Sequence, residues 1–454
     1  MKKLLAIILV FAMLLPAAAL AEGETVTISK EQYDEYQKYN DLETMYQYIK
    51  NYYYIEPDMD AMLEMAKVGL LAGLEDIYSF YYTPEDFTKM WEDDEGDYVG
   101  VGLMLLGDPR NSLVLITRAF KDGPAEEAGI KRGDYLLKVD DLDVNYSTLN
   151  QAVKIMRGTV GEPVTLTVLR EDETLEFTMN RADVSQNLVD ERMMDGDIGY
   201  IAFYSFDKDS DKELTDSINS MINKGAKGIV IDLRDNGGGW VSDAVSIADL
   251  FLDEAVVCTA INRGETVEVL KTQNGKLDIP LVLLVNELSA SSSEILSGCL
   301  RDNNAATLVG TRTFGKGVMQ AVLYVGTEGA GFQFTMEEYL TPNGDKVHEI
   351  GILPDVICEY TDEQKKIVYE FADENDPQVK CALETMRQIL DGTFVKPDNS
   401  EYIAREEAAK ALAEGETEAP AETAAPETTE EPKDGAKLVS PDGAAKAVTL
   451  FPLA

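Results

Sequence analysis

At 454 residues, 45% of them hydrophobic, the chain is long enough for roughly two to three domains and too apolar for wholesale disorder. Its 83 acidic against 40 basic residues leave a net charge of −43, which excludes binding nucleic acid or an anionic membrane surface through bulk charge. A single histidine and four scattered cysteines (Cys258, Cys299, Cys358, Cys381) offer no metal-ligand spacing, so neither a metal nor another cofactor is expected.

The first residues, MKKLLAIILVFAMLLPAAALA, join two lysines to an apolar run and a small-residue exit. This predicts an export signal over 1–21, cut after Ala21, and an extracytoplasmic chain with no stable membrane insertion once the signal is removed. Left uncut, the run would be an anchor of nearly spanning length. Export permits disulfides, and four cysteines allow three complete pairings; buried free thiols fit the apolar neighbours of three of them equally well. Residues 22–96 read as a helical N-terminal region. There Ser29 and Gln32 fit a capping box, and Leu42, Met45, Tyr46 and Ile49 share a helix face, which predicts core packing for the tyrosines.

From 97 to 182 short strands alternate with turns: YVGVGLML, SLVLITRAF, DGPAEEAGIKRGDYLLKVDDLDV, LNQAVKIMRG and EPVTLTVLR. Glycines in an apolar strand expose backbone N–H groups that suit a chain-terminal carboxylate, although a glycine bulge has the same local pattern. The complete order resembles a PDZ domain, a module that adds a peptide's C-terminus as an extra strand. The resemblance implies a carboxylate loop at Val99, Gly100, Val101 and Gly102.

From 183 to 360 apolar runs (IGYIAFYSF, GIVIDL, VVCTAI, PLVLLVN, ATLVG) alternate with amphipathic helices, predicting an α/β core around a mostly parallel sheet with flanking helices. A helical region follows over 361–400, its helix expected from Glu363 to Leu390. An acidic low-complexity tail, 401–454, ends in AVTLFPLA, which could lie in the PDZ groove of its own chain.

Two segments of the core carry chemistry. The strand PLVLLVN runs into ELSASSSEI, which places Ser291 at a strand-to-helix turn with Glu294 three residues on. A capping box gives the same pattern, and Ser289, Ser292 and Ser293 crowd the turn. A hydroxyl beside free helix N–H groups is also where a nucleophile would sit. The other segment, GIVIDLRDNGGG, lets the backbone approach a ligand closely at Gly237, Gly238 and Gly239. It matches only two positions of the dinucleotide fingerprint, the third falling on Ser242.

Together VNELSASSSEI, TFGKGVMQ, DLRDNGGG, YLTPNGD and GILPD resemble the carboxy-terminal processing peptidases, serine–lysine endopeptidases with an embedded PDZ domain. The resemblance spans about 42–355. It implies Ser291 as nucleophile, Lys316 as base, Gln320 as the residue orienting that lysine, and backbone oxyanion donors at Gly238 or Gly239 and at Ser292, where the family usually has alanine. Arg157 resembles an arginine that couples the PDZ domain to the active site in some members. The implied substrates are proteins or peptides with exposed apolar C-termini, and family members that assemble through terminal helices suggest a homodimer. The base must be neutral, and burial lowers a lysine from ~10.4 by ~3 to 5 pH units. His348, in GDKVHEIGI, reads as an ordinary histidine rather than a triad member. The rival reading is an inactive, PDZ-bearing binding scaffold.

Overall fold

The computed structural model describes residues 27–417 except 96, 109–111, 171, 274, 276, 327 and 328. The expected signal at 1–21, most of the acidic tail and AVTLFPLA lie outside the described residues. Among the described residues no helix is long and apolar enough to cross a membrane. The chain divides into two compact units, Met1–Leu70 and Leu71–Ala454.

The first unit holds helices α1 (Lys30–Gln37) and α2 (Asn40–Tyr52) and most of α3 (Met59–Ala72). Ser29 and Gln32 form the expected capping box, with bonds of 3.1 and 3.0 Å. The expected core packing is absent: none of the three helices has a buried residue, and Tyr48, Tyr52 and Tyr54 are 65%, 77% and 82% exposed. Helical spacing says which side chains share a face, not that the face is covered.

In the second unit, β1 (Phe80–Tyr82) and α4 (Pro84–Glu95) precede β2 (Asp97–Gly100). A five-element sheet follows, β3 (Leu103–Asp108), β4 (Leu113–Ala119), β5 (Tyr135–Val139), β7 (Pro163–Arg170) and β8 (Glu173–Asn180) in that spatial order, with β6 (Leu142–Asp143) beside β5. Helix α5 (Pro124–Ala128) starts with proline at its first turn and ends at Gly129 with φ +94°; α6 (Leu149–Met156) is amphipathic. Leu103, Ile116, Leu136, Ala152, Leu166 and Val168 form the module's core. Burial alternates along β7, as expected of a strand with one covered face. Strand β2 pairs antiparallel with β9 (Ala182–Ser185), so the module hangs on a two-stranded neck.

The remaining elements are β10 (Val189–Met194), β11 (Ile198–Phe203), α7 (Ser210–Asn223), β12 (Gly228–Asp232), α8 (Val241–Phe251), β13 (Val256–Asn262), β14 (Glu265–Lys271), β15 (Leu281–Val285), α9 (Ser292–Asp302), β16 (Thr307–Gly310), β17 (Val318–Val325), β18 (Ala330–Leu340), β19 (Val356–Ile357), α10 (Pro377–Leu390) and α11 (Ser400–Thr417). One sheet runs β10-β11-β12-β15-β16-β19, parallel except for the edge strand β10. Every residue of β12 and β15 is buried, as a sheet covered on both faces requires. Ile229, Ile231 and Leu283 pack on α7, α8 and α9, while Val230, Val282 and Leu284 meet Val379, Leu383 and Met386 of α10.

Beside this expected α/β core lies a second, antiparallel sheet, β1-β18-β13-β14 with β17 on β18, which the sequence reading did not separate. Strand β1 joins it from the region read as wholly helical. The helix expected from Glu363 begins at Pro377, capped by Asp376, whose carboxylate accepts the Gln378 N–H at 2.8 Å. Helix α11 carries regular structure from Ser400 to Thr417, into the stretch read as tail, where Glu406 accepts from Arg312 at 2.7 Å.

Candidate active site

Strands β12 and β15 are parallel neighbours, with Asp232 opposite Leu284, so their carboxyl ends open side by side. That edge is where a parallel sheet leaves room for a ligand. From β12 the chain enters the glycine loop; from β15 it enters the serine turn. Ser291 caps α9 with φ +55° and ψ −115°, a conformation costly for a residue with a side chain. Gly238, at φ +97°, fits against it: an added Cβ would lie 2.8 Å from Ser291 Cβ and from Ser292 N.

The crowded serines separate by partner. Ser289 donates to the Leu233 carbonyl at 2.7 Å, Ser292 to Gly239 at 2.8 Å and Ser293 to Asn236 at 2.9 Å. These three stitch the serine turn to the glycine loop, so the hydroxyl at 292, where alanine was expected from the resemblance, has a structural bond of its own. The Gly238 N–H donates to Asn236 Oδ1 at 2.9 Å, so of the two expected glycine donors only Gly239 retains an N–H without a partner among the described residues. The Ser292 N–H is likewise unpartnered there.

Glu294 is the residue whose wider role the sequence reading missed. It is fully buried, and its carboxylate accepts four bonds. Oε2 takes the N–H of Ser291 (3.0 Å) and of Lys316 (2.8 Å); Oε1 takes Thr313 Oγ1 (2.6 Å) and the Gly315 N–H (2.7 Å). Burial pushes this carboxyl up, against the pull of those donors. The Tyr339 hydroxyl reaches both the Ser291 carbonyl (3.2 Å) and that of Lys316 (3.0 Å). A glutamate three residues after a serine signals a cap; its bonds to 313–316 are tertiary and leave no local trace.

Burial lowers the Lys316 amine, opposed by Asp76 and Glu294. Its Nζ lies over the Tyr78 ring, 4.8 Å from the centroid, and makes no hydrogen bond to Ser291 or any other described residue. Gln320 stands on β17 in the same cleft, but its amide donates to Thr335 Oγ1 at 3.2 Å rather than orienting the lysine. His348 is half-buried, with its backbone packed against Gly317 and no bond to Ser291.

Beneath the glycine loop, Arg234 binds Asp232 and Asp376 (both 2.7 Å), Tyr360 (2.8 Å) and Gln378 (3.1 Å). Burial pushes Asp232 up, but Arg234 beside it prevails and holds it below the usual carboxylate range.

One cleft of about 2420 Å³ contains Ser291, Gly239 and Lys316 and extends to Met104, Leu105, Val153 and Arg157 of the inserted module. Strand β3 is an edge strand there. Of the expected carboxylate loop, Val99 and Gly100 lie in the β2–β9 ladder, while the N–H groups of Val101 and Gly102 have no partner among the described residues. Arg157 places its guanidinium 4.9 Å from the centre of the Tyr98 ring. Arg132 pairs with Asp235 of the glycine loop at 2.9 Å. Among the described residues no cluster of His, Cys, Asp or Glu could hold a metal.

Residues 197–358 match peptidase family S41, and residues 115–170 match the PDZ domain family. A probable CtpA-like serine protease of Staphylococcus aureus (strain N315) is 35% identical over 321 residues, 70% of this chain and 64% of the relative. The chain therefore spans somewhat less than two thirds of that protein's length. The corresponding protein of Staphylococcus haemolyticus (strain JCSC1435) is 33% identical over 357 residues, 77% of this chain and 71% of the relative. The solved photosystem II D1 C-terminal processing protease shares the fold, with 23% identity and a TM-score of 0.52 over 78% of this chain and 100% of that one. By its likeness to these proteases, and by the peptidase and PDZ matches it carries, the chain belongs to peptidase family S41 and contains a PDZ domain.

Proposed function

We propose that the chain is an exported serine endopeptidase that binds protein C-termini through its PDZ domain and cuts peptide bonds with Ser291 and Lys316. The observation that carries this reading is the sorting of the serines. Three hydroxyls are committed to backbone carbonyls, while Ser291 faces the cleft on a strained turn with a buried, pKa-lowered lysine tied to the same glutamate.

In the reaction, neutral Lys316 turns from the Tyr78 ring and takes the Ser291 proton as Oγ attacks the peptide carbonyl. The Gly239 and Ser292 N–H groups receive the oxyanion, each such donor contributing about 3 to 4 kcal/mol. The lysine ammonium protonates the leaving amine, and water hydrolyses the acyl-enzyme. Upstream, a peptide's C-terminal segment adds to β3 with its carboxylate on the Val101 and Gly102 N–H groups. The shared cleft lets the same chain reach Ser291.

A fluorophosphonate probe tests the nucleophile: labelling must fall on Ser291 and vanish in Ser291→Ala. Comparing one peptide with free and amidated C-termini tests the PDZ role. Amidation should slow cleavage, and equal rates would remove that role. Absence of labelling, with the peptide still bound, would favour the inactive scaffold.

A further inference from the structure

Two of the four cysteines flank the loop that lines one side of the cleft. Cys358 directly follows β19, and Cys381 lies near the start of α10. The Cys358 thiol donates to the Pro377 carbonyl at 3.6 Å, and its own carbonyl accepts from Gln378 Nε2 at 2.9 Å. Both bonds pin Cys358 against the first turn of the helix. Residues 377 and 381 are four apart on one face, and helix side chains lean towards the N-terminus. The Cys381 sulfur therefore leans towards the turn that Cys358 touches. Both residues are half-buried, within reach of a small oxidant. The thiols are in hydrogen-bonding contact, which raises Cys358 and lowers Cys381. Cys258 and Cys299 differ: both are buried, and burial pushes each up to about 12.

The loop between the pair lines the cleft with Gln364, Ile367, Val368, Tyr369 and Phe371. Gln378, which holds the Cys358 carbonyl, also accepts from Arg234 beneath the glycine loop.

We propose that Cys358 and Cys381 form a disulfide in an oxidising compartment, closing this loop and fixing one wall of the substrate cleft. The Cys381 thiolate attacks one sulfur of a disulfide oxidant, breaking its S–S bond and releasing one thiol. The Cys358 thiolate then attacks the Cys381 sulfur of the mixed disulfide and releases the second thiol. One S–S bond forms and one breaks; two electrons pass to the oxidant, and the two cysteine protons end on the released thiols.

The test equilibrates the full chain with oxidised glutathione, alkylates it in denaturant and maps peptides without reduction. The expected result is a Cys358–Cys381 linked peptide lighter by two hydrogens than its reduced parts. Dithiothreitol should then lower Tm by roughly 5 °C in the unaltered chain and leave Cys381→Ser unmoved. Full alkylation of both residues, a link from either to Cys258 or Cys299, or an equal Tm shift in Cys381→Ser would overturn the proposal.

Discussion

The backbone N–H groups of Ser291 and Lys316 converge on a single atom, Oε2 of Glu294, although two dozen residues separate them in the chain. One buried carboxylate thus sets the position of both the hydroxyl-bearing turn and the lysine-bearing loop. Its other oxygen anchors Thr313 and Gly315, so the loop is held on both sides of its glycine.

Glu294→Gln tests that coupling. The amide keeps one acceptor oxygen and turns an NH2 towards groups that are themselves donors. Stability should fall by about 2 to 4 kcal/mol and peptidase turnover by at least roughly 10²-fold. Urea unfolding and single-turnover kinetics measure the two; a variant unchanged in both would show that the carboxylate positions nothing.

Removing either proposed reacting group should separate activity from folding. Ser291→Ala and Lys316→Ala are each expected to lose roughly 10⁴-fold or more in kcat. Tm should not fall: the serine change relieves little packing, and the lysine change removes an amine that burial disfavours. Residual turnover in a preparation shown by mass to be the pure variant would refute the dyad.

The acid limb of the pH profile tests Lys316 as the proposed base. The proposed reaction needs the neutral amine, and burial disfavours the charged one. Activity should therefore rise with pH through a midpoint below 10.5 and be lost as pH falls through it. Asp76 stabilises the charged lysine, so Asp76→Asn should move the midpoint to lower pH. A midpoint that stays put or moves up would remove Asp76 from the lysine's environment.

Much of this site was legible because strand–turn–helix grammar is local. PLVLLVN before the serines and GIVIDL before the glycines mark two parallel strands whose ends meet. What stayed hidden depends on distant partners. Nothing in ELSASSSEI says that Glu294 reaches Gly315, or that Gln320 bonds Thr335 across a sheet whose strands come from three separate stretches. Phe80–Tyr82 is too short to announce itself as a strand before β18 claims it. The helix read from Glu363 gives way to irregular backbone, with Ala372 at φ +53°, before Pro377 and the Asp376 cap start the true one.

Ser292→Ala should be mild by comparison. It deletes one hydroxyl bond to the Gly239 carbonyl and leaves the backbone N–H in place. About 1 kcal/mol of stability and a several-fold drop in kcat are expected. A loss as large as that of Ser291→Ala would mean the nucleophile had been assigned to the wrong serine.

The paired strands β2 and β9 have an engineering consequence. Gly100 and Ala182 face each other across that ribbon, so the polypeptide leaves the α/β body and returns to it at adjoining points. A short hairpin joining them would excise the PDZ module without stretching what remains, and a foreign module with neighbouring termini could be spliced in its place. Under the proposed function, cutting and choosing what to cut are in this way assigned to separable parts of one chain.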